Sequence, residues 1–305
     1  MSRRPVSPAR HMAISGALNS FALHFARHIV EEIGKGKLIY AGGDDVLAMV
    51  SVDDLLTVMF LLRLAYSGVF PVDNVEQAWE WLGGGSDRLD IRRGHIRYGK
   101  RLFRVMGHKA TASIGAVVAH HQAPLGYVLR KLREAEKRAK EKVGQKVGRD
   151  AFAIDLLKRS GGAIQFTCPW LLPRDEKGHA DWSKLAETNL ETTPMGQLIR
   201  LRDRFAGNDF SRRAAYLTHG WLEDMPNDPS ALEAMLAYQF QRQSSQSDKE
   251  IMGSLGHSLA ELARQVKPDK ADEFIRDFLS VAEFLAREGR VGNKDQARNP
   301  KEDAA

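Results

Sequence analysis

The feature that most constrains this chain is a glycine-rich acidic turn between two short apolar runs. Leu38-Ile39-Tyr40 forms the first run, residues 46–50 form the second, and Ala41-Gly42-Gly43-Asp44-Asp45 separates them. Two strands joined by such a turn predict a β-hairpin, because glycine adopts the positive φ angles that tight turns require. The hairpin would carry two adjacent carboxylates at its tip.

Helical and strand patterns surround this hairpin. Ser7 and Pro8 signal the start of a helix, and apolar residues then recur every three or four positions to about residue 32. A second helix begins at residues 51–54, where acidic side chains suit the helix dipole. Further elements are predicted downstream: a buried strand at 111–119, a helix from Pro124 to about 142, and a second hairpin formed by 152–156 and 164–168.

This order of elements predicts the α+β class, with a ferredoxin-like domain in which one sheet carries helices on one face. We interpret residues 67–109, with Gly83-Gly84-Gly85 and a basic patch at 92–109, as an irregular insertion. Only helical patterns follow the second hairpin. The predicted domains are 1–170 for the α+β domain, 171–194 for a linker, 195–289 for a helical bundle and 290–305 for a disordered tail.

Composition narrows the classes of protein. The 305 residues contain no apolar run of membrane-spanning length and no signal peptide, and Cys168 is the single cysteine, so we expect a cytoplasmic protein without disulfides. The net charge is +6, and residues 121–149 hold nine Lys or Arg against three Glu, an excess of six. This segment predicts a surface that attracts phosphate or RNA.

The acidic turn is the strongest chemical signal. Asp44 and Asp45 offer hard oxygen ligands for Mg²⁺ or Mn²⁺, and Gly42 and Gly43 allow a ligand to approach the backbone. An ordinary hairpin turn is the alternative for the bare Gly-Gly-Asp-Asp string. The flanking strands, the preceding long helix and the basic helix downstream favour a site for a nucleoside triphosphate.

Together with its flanks, the stretch from Leu38 to Ala48 resembles the second palm domain of the large subunit of type III CRISPR effector complexes of the Cmr type (type III-B). Three more stretches are similar in order and spacing: 7–11, 112–125 and 136–140. The resemblance covers about residues 5–170, and the helical remainder is similar to the family's C-terminal bundle. The GGDEF-type diguanylate cyclases are related, and their serine-glycine strand and alanine-lysine helix end resemble Ser113-Ile114-Gly115 and Ala139-Lys140.

The resemblance implies synthesis of cyclic oligoadenylates from ATP when target RNA is bound, in antiviral defence. It implies that Asp44 and Asp45 hold the Mg²⁺ or Mn²⁺ ions, and that other residues face the nucleotide: Gly42, Gly43, Ser113, Lys137 and Lys140. The implied partners are the sibling effector subunits, crRNA and target RNA, with no membrane. For the two lysines a solvated helix face is the alternative, since glutamates lie at helix-compatible spacing among them.

The resemblance also has gaps. In the family an aspartate-bearing strand before the first helix, an earlier palm and often an HD nuclease accompany this domain, and we find none of them in the sequence. Three interpretations stay open: a fragment, a split gene product or a degenerate copy. Because two carboxylates leave a two-metal site short of ligands, we expect the chain alone to be folded but inactive.

Two functional alternatives remain. The first is an inactive scaffold that contacts sibling subunits and the crRNA-target duplex through residues 92–109 and 130–149. The second, a separate GGDEF-like cyclase that makes a dinucleotide, is disfavoured by the helical bundle and the Gly-Gly-Asp-Asp form.

Among histidines, His24 and His28 have metal-ligand spacing but fit the edge of a core helix better, and His120-His121 could touch RNA or nucleotide beside the basic helix.

Overall fold

The chain forms two compact units in a computed structural model, which describes residues 7–69, 89–92, 94–141, 149–159, 161–172, 190–207, 209–222, 225 and 228–289. Residues 1–112 with 181–190 make the hairpin unit, and residues 113–180 with 191–305 make the sheet and bundle unit. The glycines at 83–85, most of the predicted linker and the predicted tail lie outside the described residues. The strand predicted near 114 therefore shares a unit with the C-terminal helices.

The long first helix is confirmed, with an unexpected change of pitch. Helix α1 spans Pro8–Ser20, and the backbone N–H of Arg10 donates to the Ser7 hydroxyl at its start (3.3 Å). The helix continues in wider π turns over Phe21–Ala26 and His28–Ile33. Phe25 and Ile29, which lie in these π turns, are fully buried. The apolar repeat therefore builds a core helix, as the sequence predicts.

The predicted hairpin and second helix follow. Strand β1 spans Lys37–Gly42, strand β2 spans Asp45–Met49, and the two pair antiparallel. Helix α2 spans Leu55–Ser67 and ends at Gly68, whose φ of +66° closes the helix in the left-handed conformation. A Cβ on Gly68 would lie 2.6 Å from the Cα of Gly94, so glycine also lets these two backbones meet.

The prediction of an irregular insertion is wrong for its second half. Strands β3 (Asp90–Arg92), β4 (His95–Tyr98) and β5 (Arg101–Arg104) form an antiparallel sheet. Its inward side chains are few, with Ile91 and Ile96 buried and Phe103 edge-on to Phe25 at 5.4 Å. The many arginines mask this alternation in the sequence, because only single apolar residues mark the buried face.

The sheet and bundle unit begins with a strand, a crossover helix and a hairpin. Strand β6 (Ile114–Val118) pairs parallel with β7 (Ala151–Leu157), which pairs antiparallel with β8 (Ala163–Pro169). Helix α3 (Leu125–Lys140) makes the crossover that a parallel pair requires. These elements are as predicted, but the described strands form three sheets rather than the single sheet expected.

Helices cover both faces of this second-unit sheet, and not one face as predicted. Ala135 and Ala139 of α3 form a buried cluster with Ala153 of β7. On the other face, Phe166 of β8 packs against Phe274 and Phe278, with ring centroids 5.4 and 5.6 Å apart. These two phenylalanines belong to the last helix, so β7 is a central strand that is buried on both sides.

The C-terminal region is helical, as predicted. It contains α4 (Pro194–Ala206), α5 (Arg213–Leu222), α6 (Pro229–Arg242), α7 (Lys249–Val266) and α8 (Ala271–Glu288). Helices α6 and α7 touch closely, since a Cβ on Gly256 would lie 2.8 Å from the Cα of Ala237. Within the described residues, every helix is too short or too polar to cross a bilayer.

Asp277 on α8 should make the stability of this unit depend on pH. Burial raises its pKa from 3.8 to about 6, although the charges of Lys267 and Arg276 oppose the rise. The folded chain therefore holds a proton that the unfolded chain releases between those pH values, and stability falls as pH rises through the window. Because the carboxyl is partly exposed, we expect Asp277→Asn to stabilise by only about 1 kcal/mol at pH 7.5.

Thermal melts of both proteins across pH 4 to 8 check this expectation. The melting temperature of Asp277→Asn should exceed that of the wild type by about 3 °C at pH 7.5. The difference should shrink toward pH 4, where both side chains are neutral. A difference of equal size at every pH would contradict the titration of Asp277.

Candidate nucleotide and metal site

The acidic hairpin closes with a two-residue turn. Gly42 pairs with Asp45 across the strands, so Gly43 and Asp44 form the loop. Gly43 has a φ of +63°, which a residue with a side chain adopts only at a cost, and a Cβ at this position would meet nothing within 4 Å. Conformation therefore requires glycine at Gly43, and open space above the turn leaves its backbone accessible to a ligand.

The two carboxylates lie at the exposed tip of this hairpin. Asp44 and Asp45 are both exposed. Burial raises the pKa of Tyr66 on α2, and the charge of Asp44 adds to the rise. Among the described side chains, no group of three or more His, Cys, Asp or Glu could hold a metal ion. The hairpin therefore offers a pair of carboxylates rather than a complete protein cage.

This donor set fits magnesium bound together with a substrate. Mg²⁺ keeps several waters and is ordinarily held by one or two carboxylates plus substrate phosphates. Adjacent carboxylates on a turn match that pattern. Next to them the Tyr40 side chain lies over Gly42. A Cβ on Gly42 would collide with the Tyr40 hydroxyl, so glycine leaves room for this ring. Tyr40 itself is 57% exposed, so its ring forms an accessible wall beside the turn.

The predicted triphosphate residues lie in the second unit. Ser113 immediately precedes β6, and Lys137 and Lys140 lie in the last turn of α3. A Cβ on Gly115 would lie 2.7 Å from the Cα of Glu136, so the start of β6 touches the end of α3. Ser113 and the two lysines therefore lie at the same end of the sheet and bundle unit, where β6 begins and α3 ends.

Both lysines make ion pairs on their own helix. The Lys140 ammonium lies 2.5 Å from Glu136 Oε1, and the Lys137 ammonium lies 3.7 Å from Glu141 Oε1. These are the glutamate pairs that the sequence offers as the alternative to phosphate binding. Exposed pairs of this kind contribute little to stability, about 0.5 kcal/mol each, so a phosphate could displace the glutamates at small cost.

A buried ion pair that was not predicted from the sequence lies beside these lysines. Asp155 in β7 is fully buried and accepts hydrogen bonds from the Arg138 guanidinium and from the Gln165 amide, the latter at 3.3 Å. Burial raises the pKa of Asp155, although the Arg138 charge opposes the rise. The available signal was a single aspartate within an otherwise apolar strand.

Of the histidines with metal-ligand spacing, His28 is buried and His24 is half-buried on the same helix of the hairpin unit. His28 is 8% exposed, and its Nδ1 lies 3.5 Å from the Tyr98 hydroxyl. His24 packs against Phe103, with ring centroids 5.0 Å apart. Packing contacts therefore explain the positions of both histidines, as expected for side chains at the edge of a core helix.

The segment that carries the hairpin is similar to a known protein family. Residues 1–80, which include the whole acidic hairpin, match the family model described as Cas10/Cmr2, second palm domain. This segment is therefore similar to a Cas10/Cmr2-type palm. The chain is 30% identical over 168 residues to the CRISPR system Cmr subunit Cmr2 of Pyrococcus furiosus, and 32% identical over 127 residues to the CMR subunit Cmr2 of Saccharolobus solfataricus. The resemblance to type III-B large subunits is therefore confirmed.

A solved structure shows a similar fold over more of the chain. The apo state of a type III-B Cmr-beta assembly, determined by cryo-EM, matches 79% of this chain with a TM-score of 0.56 and 20% identity. The matches span only 15% and 10% of the two Cmr2 relatives and 22% of the solved chain. The chain thus spans less than a quarter of the length of each of these proteins.

Proposed function

We propose that this chain is part of the large subunit of a type III-B CRISPR effector, and that its hairpin helps to join ATP into cyclic oligoadenylates when target RNA is bound. The observation that carries the proposal is the exposed Gly-Gly-Asp-Asp turn inside the segment that matches the palm model. Sibling Cmr subunits, crRNA and target RNA are the proposed partners. The similarity to Cmr2 proteins and to a Cmr assembly supports the sibling subunits among these partners.

The chemistry assigned to the hairpin is nucleotidyl transfer. A divalent ion, when bound, would offset the charge of the phosphates and favour ionisation of the attacking 3′-hydroxyl. Asp44 and Asp45 would hold that ion from the tip of the turn, while Gly43 leaves room for phosphate oxygens beside the backbone. Lys137 and Lys140 are the proposed cations for the triphosphate, with Ser113 at the same end of their unit.

An inactive scaffold is the second candidate function. The ion pairs of Lys137 and Lys140 with glutamates favour it, because they leave both helix cations already matched. In that case the hairpin would be an ordinary turn, and the basic surfaces of β5 and α3 would contact sibling subunits or the crRNA-target duplex. Metal-dependent ATP binding separates the two candidates.

Replacing both hairpin carboxylates should remove metal-dependent ATP binding. We expect Asp44→Asn with Asp45→Asn to lower ATP affinity in Mg²⁺ or Mn²⁺ about tenfold or more, to the level measured with EDTA, because the ion loses its protein ligands. Isothermal titration calorimetry on the full chain measures this. Since both side chains are exposed, the melting temperature should change by less than about 2 °C.

A matched control removes two carboxylates elsewhere. Glu32→Gln with Asp269→Asn makes the same change of charge at two exposed positions and should leave ATP affinity unchanged. In a reconstituted Cmr complex with target RNA, mass spectrometry should detect cyclic oligoadenylate with the control chain and none with the hairpin variant. Equal metal-dependent affinity in the hairpin variant and the wild type would refute the site.

A further inference from the structure

The end of the second-unit sheet opposite Lys140 carries a cluster of basic side chains. The parallel register pairs Val118 with Leu156, so the residues that follow the two strands, His120-His121 and Lys158-Arg159, leave the same end of the sheet. The charge of Arg159 acts on His120, which agrees with this placement. We name His120, His121, Lys158 and Arg159 the carboxyl-edge cluster, since they follow the carboxyl ends of β6 and β7.

Local hydrogen bonds fix the geometry of the histidine pair. The backbone N–H of Gln122 donates to His120 Nδ1 at 3.3 Å, and the N–H of Ala123 donates to the His120 carbonyl at 2.8 Å. In the neutral imidazole an accepting Nδ1 leaves the proton on Nε2, which is then a hydrogen-bond donor. The His121 ring stacks on His120 at 4.1 Å. Burial lowers the pKa of His120, and the nearby Arg159 and His121 lower it further.

The amino end of α3, with its backbone N–H donors, lies at the same edge as the cluster. Helix α3 begins at Leu125, directly after the histidine loop, with Pro124 as its cap and no side chain capping the first turn. Its amino end therefore adds partial positive charge. The opposite loop turns through Gly161 and Gly162 with φ angles of +90° and +82°, and a Cβ at either position would meet nothing within 4 Å. In open α/β sheets, the carboxyl ends of parallel strands beside a helix amino end are where phosphates bind.

Acidic side chains near the carboxyl-edge cluster offset its positive charge only in part. The Glu288 carboxylate is near enough to raise the pKa of His120 against the lowering effects. Arg287 lies 3.2 Å from Glu288 and 3.7 Å from Glu283, so the end of α8 brings its own cation. Lys158, Arg159 and His121 are exposed. The edge is therefore positive and open to solvent.

We propose that the carboxyl-edge cluster binds the phosphate backbone of single-stranded RNA. The cations lie on two elements of this edge, Lys158 and Arg159 on the glycine loop and Arg130 near the start of α3, which suits successive phosphates of a chain better than one small ligand. The first turns of α3 add Tyr127, 39% exposed, with the Arg130 guanidinium 5.6 Å from its ring centroid. An exposed aromatic ring beside arginine is a surface on which an unpaired base can stack.

This surface is separate from the proposed triphosphate residues. Helix α3 has 16 residues and so extends about 24 Å between the two ends. The inference does not depend on nucleotide chemistry at the hairpin, since a scaffold that lacks activity could bind RNA in the same way. ATP binding and RNA binding should therefore respond to different substitutions.

Charge reversal at the glycine loop tests the proposal. We expect Lys158→Glu with Arg159→Glu to weaken binding of a fluorescent 20-nucleotide poly(U) RNA to the full chain by about tenfold or more at 0.1 M KCl. The slope of log affinity against log salt should become less steep by about 1.4, because two phosphate contacts are lost on a single strand. Fluorescence anisotropy at four KCl concentrations gives both quantities.

The control reverses the same two charge types in the bundle. Arg242→Glu with Lys249→Glu, at exposed positions of α6 and α7, should change RNA affinity less than twofold. Circular dichroism melts of both variants should match the wild type, so that unfolding is not the cause of any loss. Equal loss in both variants, an unchanged salt slope, or a loss of ATP affinity without a loss of RNA affinity would overturn the proposal.

Discussion

Replacing Gly115 with alanine should destabilise the sheet and bundle unit by about 3 kcal/mol, the upper end of the usual cost of overpacking. The added Cβ would collide with the backbone nitrogen of Glu136 and lie 2.7 Å from its Cα and 2.9 Å from the carbonyl carbon of Ala135. These are backbone atoms of α3, which rotation of a side chain cannot move away. The helix and β6 must therefore separate, and the buried alanine cluster loses contact.

Thermal denaturation followed by circular dichroism should show a fall in melting temperature of about 10 °C for Gly115→Ala. Gly220→Ala on α5 is the matched control, because a Cβ there meets nothing within 4 Å. Alanine is also the better helix former, so the control should be neutral or slightly stabilising. Equal melting temperatures for Gly115→Ala and the wild type would show that β6 and α3 are not in this close contact.

Removing Asp155 should cost a similar amount. The carboxylate is fully buried between the Arg138 guanidinium and the Gln165 amide, and Arg138 is 26% exposed. Asp155→Ala leaves that guanidinium without its partner charge and opens a void in the central strand. Loss of one partner of a buried pair commonly costs about 3 kcal/mol or more, and urea denaturation should show this as a lower midpoint.

A second variant separates the ion pair from packing alone. Because burial raises the pKa of Asp155 despite Arg138, the pair offsets only part of its desolvation cost. Replacing both partners, Arg138→Met with Asp155→Leu, should therefore recover most of the lost stability. If the double variant is as unstable as Asp155→Ala, the void or the altered strand, and not the unpaired charge, causes the loss.

The sequence alone determined the local elements of this protein. Turn residues fix the hairpin at Gly43-Asp44, since only glycine adopts the required φ easily, and the Ser7-Pro8 signal places the start of α1 correctly. These predictions succeed because they depend on residues close in the chain. The family resemblance, read from the same motifs, agrees with the palm model that matches residues 1–80.

Tertiary structure decided which faces are buried. Asp155 is enclosed because α3 covers its face of β7 and supplies Arg138, whereas the opposite face is covered by α8, which begins more than 100 residues later in the sequence. Strands β3 to β5 form with few apolar side chains because the π-helical continuation of α1 supplies the opposing surface, for example Phe25 against Phe103. Burial by elements distant in the chain leaves no local pattern, so neither the sheet's second helical layer nor the buried ion pair could be derived from residue spacing.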